Sequence, residues 1–379
     1  MDEITKIIRS VNETVERERE EVIICVVIIC RQEEKIIKRC LDSTISVGNY
    51  WCICDTGSTD NTVEVVEDWF DENKVDGQIC NHKWVDFGHN RTLAIKTAEY
   101  HYPNSTYHLH IDCDMILKVG KMFNKNTLFY DSYSFEQTNG DLTYRNIRLT
   151  KVSLNWKSLG VTHEYYHSST SKESKSLHRN MIWIDDMDDG GSKDDKFIRD
   201  YNLLIGGIRA EPDNVRYVFY MAQTLMALER WDNAIRYYTK RIEMGGYHEE
   251  IYYSYYKRGE CYEKLDKWND ALSSYLQAYN HTPTRSESLY EIVYYYRNES
   301  DHHLAALFCK IAMKIKRPED LHLFILDTVY DHLLEYEYSI IAFYVDDIKG
   351  GIKSSERVLN SNAPNYIKKM VSINMEFYR

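Results

Sequence analysis

Two carboxylates interrupt an apolar run in LHIDCDMIL, Leu109 to Leu117. On an extended backbone residues i and i+2 point the same way, so Asp112 and Asp114 can converge on one spot at a strand end. Two hard oxygen ligands on one spot suit Mg2+ or Mn2+, which keep other positions for water and phosphate oxygens. A solvated turn is the plainer account of the same two acids. A second acidic stretch, ICDTGSTDNT from Ile53 to Thr62, reads as a strand end at Asp55, a tight turn at Gly57 and a choice of helix caps in Ser58, Thr59, Asp60 and Asn61. Ligands of open α/β sheets bind outside the carboxyl ends of strands, which would put Asp55 and Asp60 beside a nucleoside. An ordinary strand–turn–helix connection explains these residues equally. Neither G-x-G-x-x-G nor G-K-[ST] occurs in this stretch, so it is not a dinucleotide or P-loop signature.

A third cluster, His163-Glu164-Tyr165-Tyr166-His167, spells H-E-x-x-H. In a zinc protease that pattern needs a helix, so that two His one turn apart hold the metal while the Glu activates water. The flanks SLGVT and HSSTS are too short, and too rich in Gly, Ser and β-branched residues, to provide one.

The elements that must position these residues follow from apolar periodicity. VIICVVIIC reads as a fully buried parallel strand, RQEEKIIKRCLDSTI as an amphipathic helix, YWCICD as a second strand and STDNTVEVVEDWFDEN as a capped helix. QICNHKWV is expected as a third strand, GHNRTLAIKTAEYH as a helix and YHLHIDCD as a fourth strand. Strands separated by such helices imply βαβ units and a parallel sheet covered on both faces. After Asp114, YDSYSFEQ and LTYRNIRLTKV alternate and suggest antiparallel additions.

A composition break falls at DDMDDGGSKDDKF, Asp185 to Phe197, after which strand signals give way to a repeat. LERWDNAIRYY resembles LDKWNDALSSY about 37 residues later, and SDHHLAALFCK follows after about 35 more. Ala234, Ala271 and Ala305 recur where helices must approach closely, and Pro283 and Pro318 end helices. A period near 34 to 37 built of helix pairs marks a tetratricopeptide-like (TPR-like) solenoid, with YSIIAFYVDDIKGGIKSSERVL as a degenerate fourth unit. Trp231, Trp268, His302 and His303 then read as packing or surface residues of the repeats. The expected division is a charged helical extension at 1–20, an α/β domain at 21–197 and a helical repeat domain at 198–379.

At 379 residues two domains are the default. The formal net charge of -12 argues against a nucleic-acid binder, whose affinity rests on Lys and Arg neutralising phosphates. The nine Cys are odd in number and scattered through apolar runs, with no C-x-x-C pair, which predicts buried free thiols in a reducing compartment. The charged start lacks an apolar signal core, and no run approaches the roughly 20 residues of a membrane span. A soluble, cytoplasmic protein is expected.

The order VVIICRQEEKIIKRCLDS, ICDTGSTDNT, FGHNRTLAI, LHIDCDMIL, WKSLGVTHEYY, DGGSKDDKFIRDYNLL and NVRYVFYMAQTL resembles the family 2 glycosyltransferases of GT-A fold. It is similar to a subgroup, known in bacteria and large DNA viruses, in which that Rossmann-like domain is fused to a TPR-like tail. The resemblance implies a metal-dependent, inverting transfer of a sugar from a nucleotide-sugar, a UDP-sugar first, to a glycan or protein acceptor, with a further protein partner on the helical repeats. Residue by residue it implies Asp55 on the nucleobase or ribose, with Asp60 in the same donor site, and Asn90 or Arg91 near the base edge. Asp112 would face ribose and metal, Asp114 the Mn2+ or Mg2+, and Glu164 the acceptor hydroxyl as general base. The family's His before the Asp-Gly-Gly-Ser segment is replaced here; Asp186 either substitutes as a metal ligand or belongs to a solvated acidic turn. Gln32 stands where the family has Asn in the first-strand loop. The alternatives are a TPR-type interaction protein with a degenerate GT-A domain and, further off, a nucleotidyltransferase.

Overall fold

The computed structural model describes residues 21–139, 142–190, 196–321 and 323–378; the extension expected at 1–20 lies outside them. The chain divides into two compact units, Met1–Leu203 and Leu204–Arg379.

In the first unit the uncharged run of β1 (Ile24–Cys30) lies between β2 (Tyr50–Asp55) and β4 (Tyr107–His110), parallel to both. β3 (Asp76–Asn81) adds a further parallel strand beside β2. Crossovers are made by α1 (Ile37–Thr44), α2 (Thr62–Asn73) and α3 (Phe87–His101). Alternate residues of β1 divide between the faces. Ile24, Val26 and Ile28 pack with Ile37, Leu41, Val66 and Trp69 of α1 and α2, whereas Cys25 and Val27 pack with Ala94 and Ala98 of α3. A strand buried on both sides has no polar face, hence its continuous apolar sequence.

Beyond β4 the sheet becomes mixed. β5 (Met115–Val119), β6 (Ser132–Asn139), β7 (Leu142–Lys151), β10 (Ser174–Ser176) and β11 (Ile182–Asp186) complete nine strands in the order β3-β2-β1-β4-β7-β6-β11-β5, with β10 on β6. The alternating segments form the antiparallel β6–β7 hairpin as expected. β8 (Lys157–Leu159) and β9 (Tyr165–His167) form a separate ribbon. The antiparallel β5–β11 ladder sets Asp186 opposite Met115. At its far end Gly120 donates to the Met181 carbonyl at 2.7 Å, and a Cβ on Gly120 would meet the Asn180 carbonyl oxygen at 2.0 Å, so only glycine fits.

Two expected strands are shorter than their apolar patterns. YHLHIDCD does not run as a strand to Asp114: β4 stops at His110, the Met115 N–H donates to the Asp112 carbonyl at 3.0 Å, and β5 begins at Met115. Asp112 and Asp114 therefore lie on a turn between two strands, and the alternation that would aim both the same way does not operate. QICNHKWV leaves the sheet after Asn81, because Asn90 accepts from Val85 N–H at 2.9 Å and donates to the Lys83 carbonyl at 3.0 Å, turning the chain into α3.

The unit boundary falls inside α4 (Lys196–Ala210). The second unit contains the helix pairs α5 (Val215–Ala227) with α6 (Trp231–Glu243), α7 (His248–Lys264) with α8 (Trp268–His281), α9 (Glu287–Asn298) with α10 (His302–Ala312), and α11 (Leu334–Tyr344) with α12 (Ile348–Leu359), followed by α13 (Asn365–Asn374). The second helices of the first three pairs start at Trp231, Trp268 and His302, a period of 37 then 34 residues. Ala234, Ala271 and Ala305 are fully buried at the close approaches. Trp268 stacks on Tyr295 at 3.4 Å and His302 on Tyr344 at 3.9 Å, so both are packing residues. Among the described residues no helix is long and apolar enough to cross a membrane. All nine Cys are free; eight are buried and Cys80 is half-buried.

Candidate active site

At the carboxyl ends of β1 and β4 lies a cavity of about 290 Å³ whose walls include Glu33, Trp84, Arg91, Asp112, Asp114, Asp186, Lys196 and Arg199. Acids come from the loop after β1, the β4–β5 turn and the end of β11, the cations from the N-terminal parts of α3 and α4, and the aromatic wall from the loop before α3. The Met187 N–H donates to the Asp114 carbonyl at 3.0 Å, so the β5–β11 ladder carries Asp186 beside the acidic turn.

The charges are arranged as a chain. Arg91 donates from Nη2 to Asp112 Oδ1 at 2.5 Å and from Nε to Glu164 Oε1 at 2.5 Å. Arg148 of β7 donates to Asp112 Oδ2 at 3.2 Å and, through Nε, to Gln137 at 3.0 Å. Burial alone would raise the Asp112 carboxyl, but Arg91 and Arg148 hold it down at about 2. Burial likewise works against the charge on Arg91, and Asp112 and Glu164 on either side more than offset it, holding the guanidinium well above its usual range. Behind the chain, Tyr166 stacks on His110 at 4.0 Å, and burial pushes the Tyr166 phenol up to about 12. His110 Nε2 meets Thr150 Oγ1 at 2.8 Å.

Local backbone fixes which acid Arg91 faces. Gly88 of α3 donates to the Gly160 carbonyl at 3.0 Å and Phe87 to that of Val161 at 3.2 Å. A Cβ at Gly88 would meet the Gly160 oxygen at 2.5 Å. Thr92 completes the stitch with reciprocal bonds to Ser158, accepting from its N–H at 2.9 Å. The helix carrying Arg91 is thus riveted to the segment that delivers Glu164. His163 adopts φ 51° and Tyr165–His167 is extended, so the H-E-x-x-H residues share no helix face.

Several expected site residues are engaged by the protein's own groups. Asp55 is buried and turned onto its own connection, accepting from Gly57 N–H at 2.9 Å and Ser58 N–H at 3.0 Å. Asp60 accepts from the Thr62 hydroxyl at 2.5 Å and from the Glu34 N–H at 3.3 Å. These bonds outweigh partial burial and lower its carboxyl. Asn90, also buried, is occupied by the backbone of residues 83 and 85. Arg91 lies between two carboxylates rather than at a free base edge. The expected trio Asp112, Asp114 and Asp186 does not form a closed metal cage. Asp112 is held by two guanidinium groups, the Tyr144 hydroxyl donates to Asp186 at 2.8 Å, and among the described residues no three His, Cys, Asp or Glu side chains gather as a metal cluster. Cys113, as expected, points into the core.

Sequence reasoning missed Arg148, Trp84 and the pocket role of Glu33. Arg148 gave no signal, because it falls in the polar register of NIRLTK with Asn146 and Thr150; Trp84 was hidden by the overextended third strand.

A mostly parallel α/β sheet with polar and charged groups gathered at the carboxyl ends of its strands is the architecture of a ligand-binding domain. Residues 25–121 match the family model Glycosyl transferase family 2, so the first unit carries a domain of that family. The SPbeta prophage-derived glycosyltransferase SunS of Bacillus subtilis (strain 168) is 27% identical over 230 residues, 57% of this chain and 52% of the relative. The glycosyltransferase SunS of Bacillus phage SPbeta matches to the same extent. The chain spans about half the length of these curated relatives. Among solved structures, the C-terminal part of a TPR repeat-containing protein from Cytophaga hutchinsonii is similar at TM-score 0.38 and 15% identity, over 48% of this chain and 68% of that one. A MamA crystal structure is similar at TM-score 0.35 and 15% identity, over 44% and 82%.

Proposed function

We propose that the protein is an inverting, metal-dependent glycosyltransferase that moves a sugar from a nucleotide-sugar, UDP-linked first, to a glycan or protein acceptor. The observation that carries the reading is the Asp112–Arg91–Glu164 chain at the cavity, in a unit whose residues 25–121 match family 2. Glu164 is the general base. Its Oε1 is anchored by Arg91, which leaves Oε2 to take the acceptor's proton as the acceptor oxygen attacks the anomeric carbon. Lys196 and Arg199 on the cavity wall face the charge of the donor diphosphate. Trp84 offers an apolar wall to base or sugar.

A cation could be held here without breaking the Asp112 ion pairs. Mg2+ and Mn2+ are commonly held by one or two carboxylates, with substrate phosphate and water completing the shell. Asp114 would be the protein ligand, with Asp186 adjacent, while Asp112 keeps its arginines. Bound so, the ion would supply Lewis-acid stabilisation of the departing nucleoside diphosphate.

The test is a thermal-shift series with UDP-sugars, with and without Mn2+, on the native chain and on Asp114→Ala. A ligand that binds only the folded state raises Tm. The reading expects a metal-dependent rise with at least one UDP-sugar that Asp114→Ala abolishes. An unchanged Tm across nucleotide-sugars would leave a binding-only protein, a reading that the two arginines closing Asp112 would then favour.

A further inference from the structure

We infer that the loop between α10 and α11 is a built-in competitor: it occupies, on the first helices of the second and third pairs, the place of an extended segment of another protein that carries an aromatic residue among apolar ones. The earlier pairs are joined by short turns, 244–247 before α7 and 282–286 before α9, whereas 313–328 separates α10 from the turn Val329–Leu333 that opens α11. A connection of that length inside a regular repeat is usually functional. This one is fastened down. Arg317 donates from Nε to Asp327 Oδ1 at 2.5 Å and closes the loop at its neck. Within the neck Arg285 donates to two successive carbonyls, of Leu323 at 2.9 Å and of Phe324 at 3.0 Å. Glu249 accepts from the Leu323 N–H at 2.7 Å and Glu287 from the Leu326 N–H at 3.3 Å. The Phe324 ring lies 4.6 Å from that of Tyr253 on α7.

The two sides of this contact are built differently. On the receptor side Arg285 and Glu287 are fully buried and paired at 2.7 Å, the Tyr252 hydroxyl donates to Glu287 at 3.2 Å, and the Arg285 guanidinium sits 4.2 Å over the Tyr252 ring. Those bonds come from α7, α9 and the turn between α8 and α9, so the receptor is fixed without the loop. The loop side is weaker. Leu321, Leu323, Phe324 and Ile325 are only partly buried and Leu326 is 40% exposed, so an apolar run stays outside the core. Phe324 adopts φ 51°, a left-handed conformation that residues with a Cβ avoid. The ion pair at the neck is exposed on both partners and of the kind that contributes little. What the receptor reads is the main chain of three residues and one ring, which other sequences can supply. A buried guanidinium stripped of its acceptors is costly, so the loop leaves as another segment arrives and the transition is an exchange.

The experiment is fluorescence anisotropy of a labelled synthetic peptide of residues 318–328 titrated with the full chain, circular dichroism and Tm confirming the fold of each variant. In one variant residues 318–326 are replaced by a Gly-Ser linker of equal length; in the other, Phe324→Ala withdraws the ring that meets Tyr253. Both should bind the peptide about tenfold more tightly than the native chain, as when an internal competitor holds the site some nine times in ten. The peptide carrying Phe324→Ala should bind either variant about tenfold more weakly than the original, through loss of the aromatic contact. Should the linker variant not fold, Phe324→Ala in the full chain decides alone, since that side chain is only partly buried. Native and variant chains that bind the peptide equally overturn the proposal. So do folded variants that leave it unbound at about 100 µM, or a Phe324→Ala peptide that binds as well as the original.

Discussion

The turn after β2 and the turn after β4 each carry two aspartates, and they use them in opposite ways. Asp55 and Asp60 accept from backbone N–H groups and neighbouring hydroxyls of their own connection and, through the Glu34 N–H, of the adjacent loop after β1, so their charge is consumed in holding the chain's course. Asp112 accepts from two arginines brought from α3 and β7, and Asp114 walls the cavity. Residue type does not distinguish the pairs; the donor does. An acid satisfied by nearby backbone is part of the frame, whereas an acid satisfied by distant side chains belongs to a site that those side chains were brought together to make.

The contrast can be broken most forcefully at the site. Glu164→Gln is expected to lower transfer on the order of 10²- to 10⁴-fold, with the urea midpoint and the donor-induced Tm rise retained, measured by single-turnover assay beside denaturation. Full transfer activity in that variant would falsify the base assignment. Next comes Asp55→Ala, which removes the buried carboxylate that accepts from the Gly57 and Ser58 N–H groups and should cost about 2 kcal/mol in urea unfolding while the folded fraction still binds donor. An Asp55→Ala protein of native stability that binds no donor would reverse the comparison.

Acid sharpens it further. Asp112 holds its carboxyl at about 2 against 3.8 for the free group, so its ion pairs stabilise the fold above pH 3.8 and the gain is lost as pH falls towards 2. The gain is about 2 kcal/mol, and Asp112→Asn should flatten the native pH dependence across that window. His108 acts at higher pH. Burial lowers it from 6.5 to about 4, so stability is lost as pH falls from 6.5 towards 4, and His108→Leu should make that slope shallower, the buried His110 beside it contributing the same sign. The smallest effect expected is from Asp60→Ala, about 1 kcal/mol, as for a lost helix cap, with transfer per folded molecule unchanged.

Much of this frame was legible. YWCICD marks β2 to the residue, because a short strand bounded by turn chemistry leaves few alternatives. The start of the acidic turn was less legible: no Gly, Pro or Asn interrupts LHIDCDMIL, so the fourth strand read on to Asp114 where β4 stops at His110. Glu164 came from the resemblance, and its partner Arg91 was seen but given another task, since only the packing of Gly88 on Gly160 shows which acid the guanidinium meets. Arg148 lay in a strand whose alternation gave no reason to look inward.

The β5–β11 ladder has a consequence for how such a chain can diversify. It closes the two ends of the excursion from Gly120 to Met181 against each other, yet the excursion is woven into the sheet: its β7 pairs with β4 and its β6 with β11, so any change within it must keep the register of both neighbours. Arg148 and Glu164 both ride inside it. Each is also tied to the parallel half by an ion pair, Arg148 to Asp112 and Glu164 to Arg91, so a lineage can vary the loops of the excursion freely but can change these two residues only together with their partners.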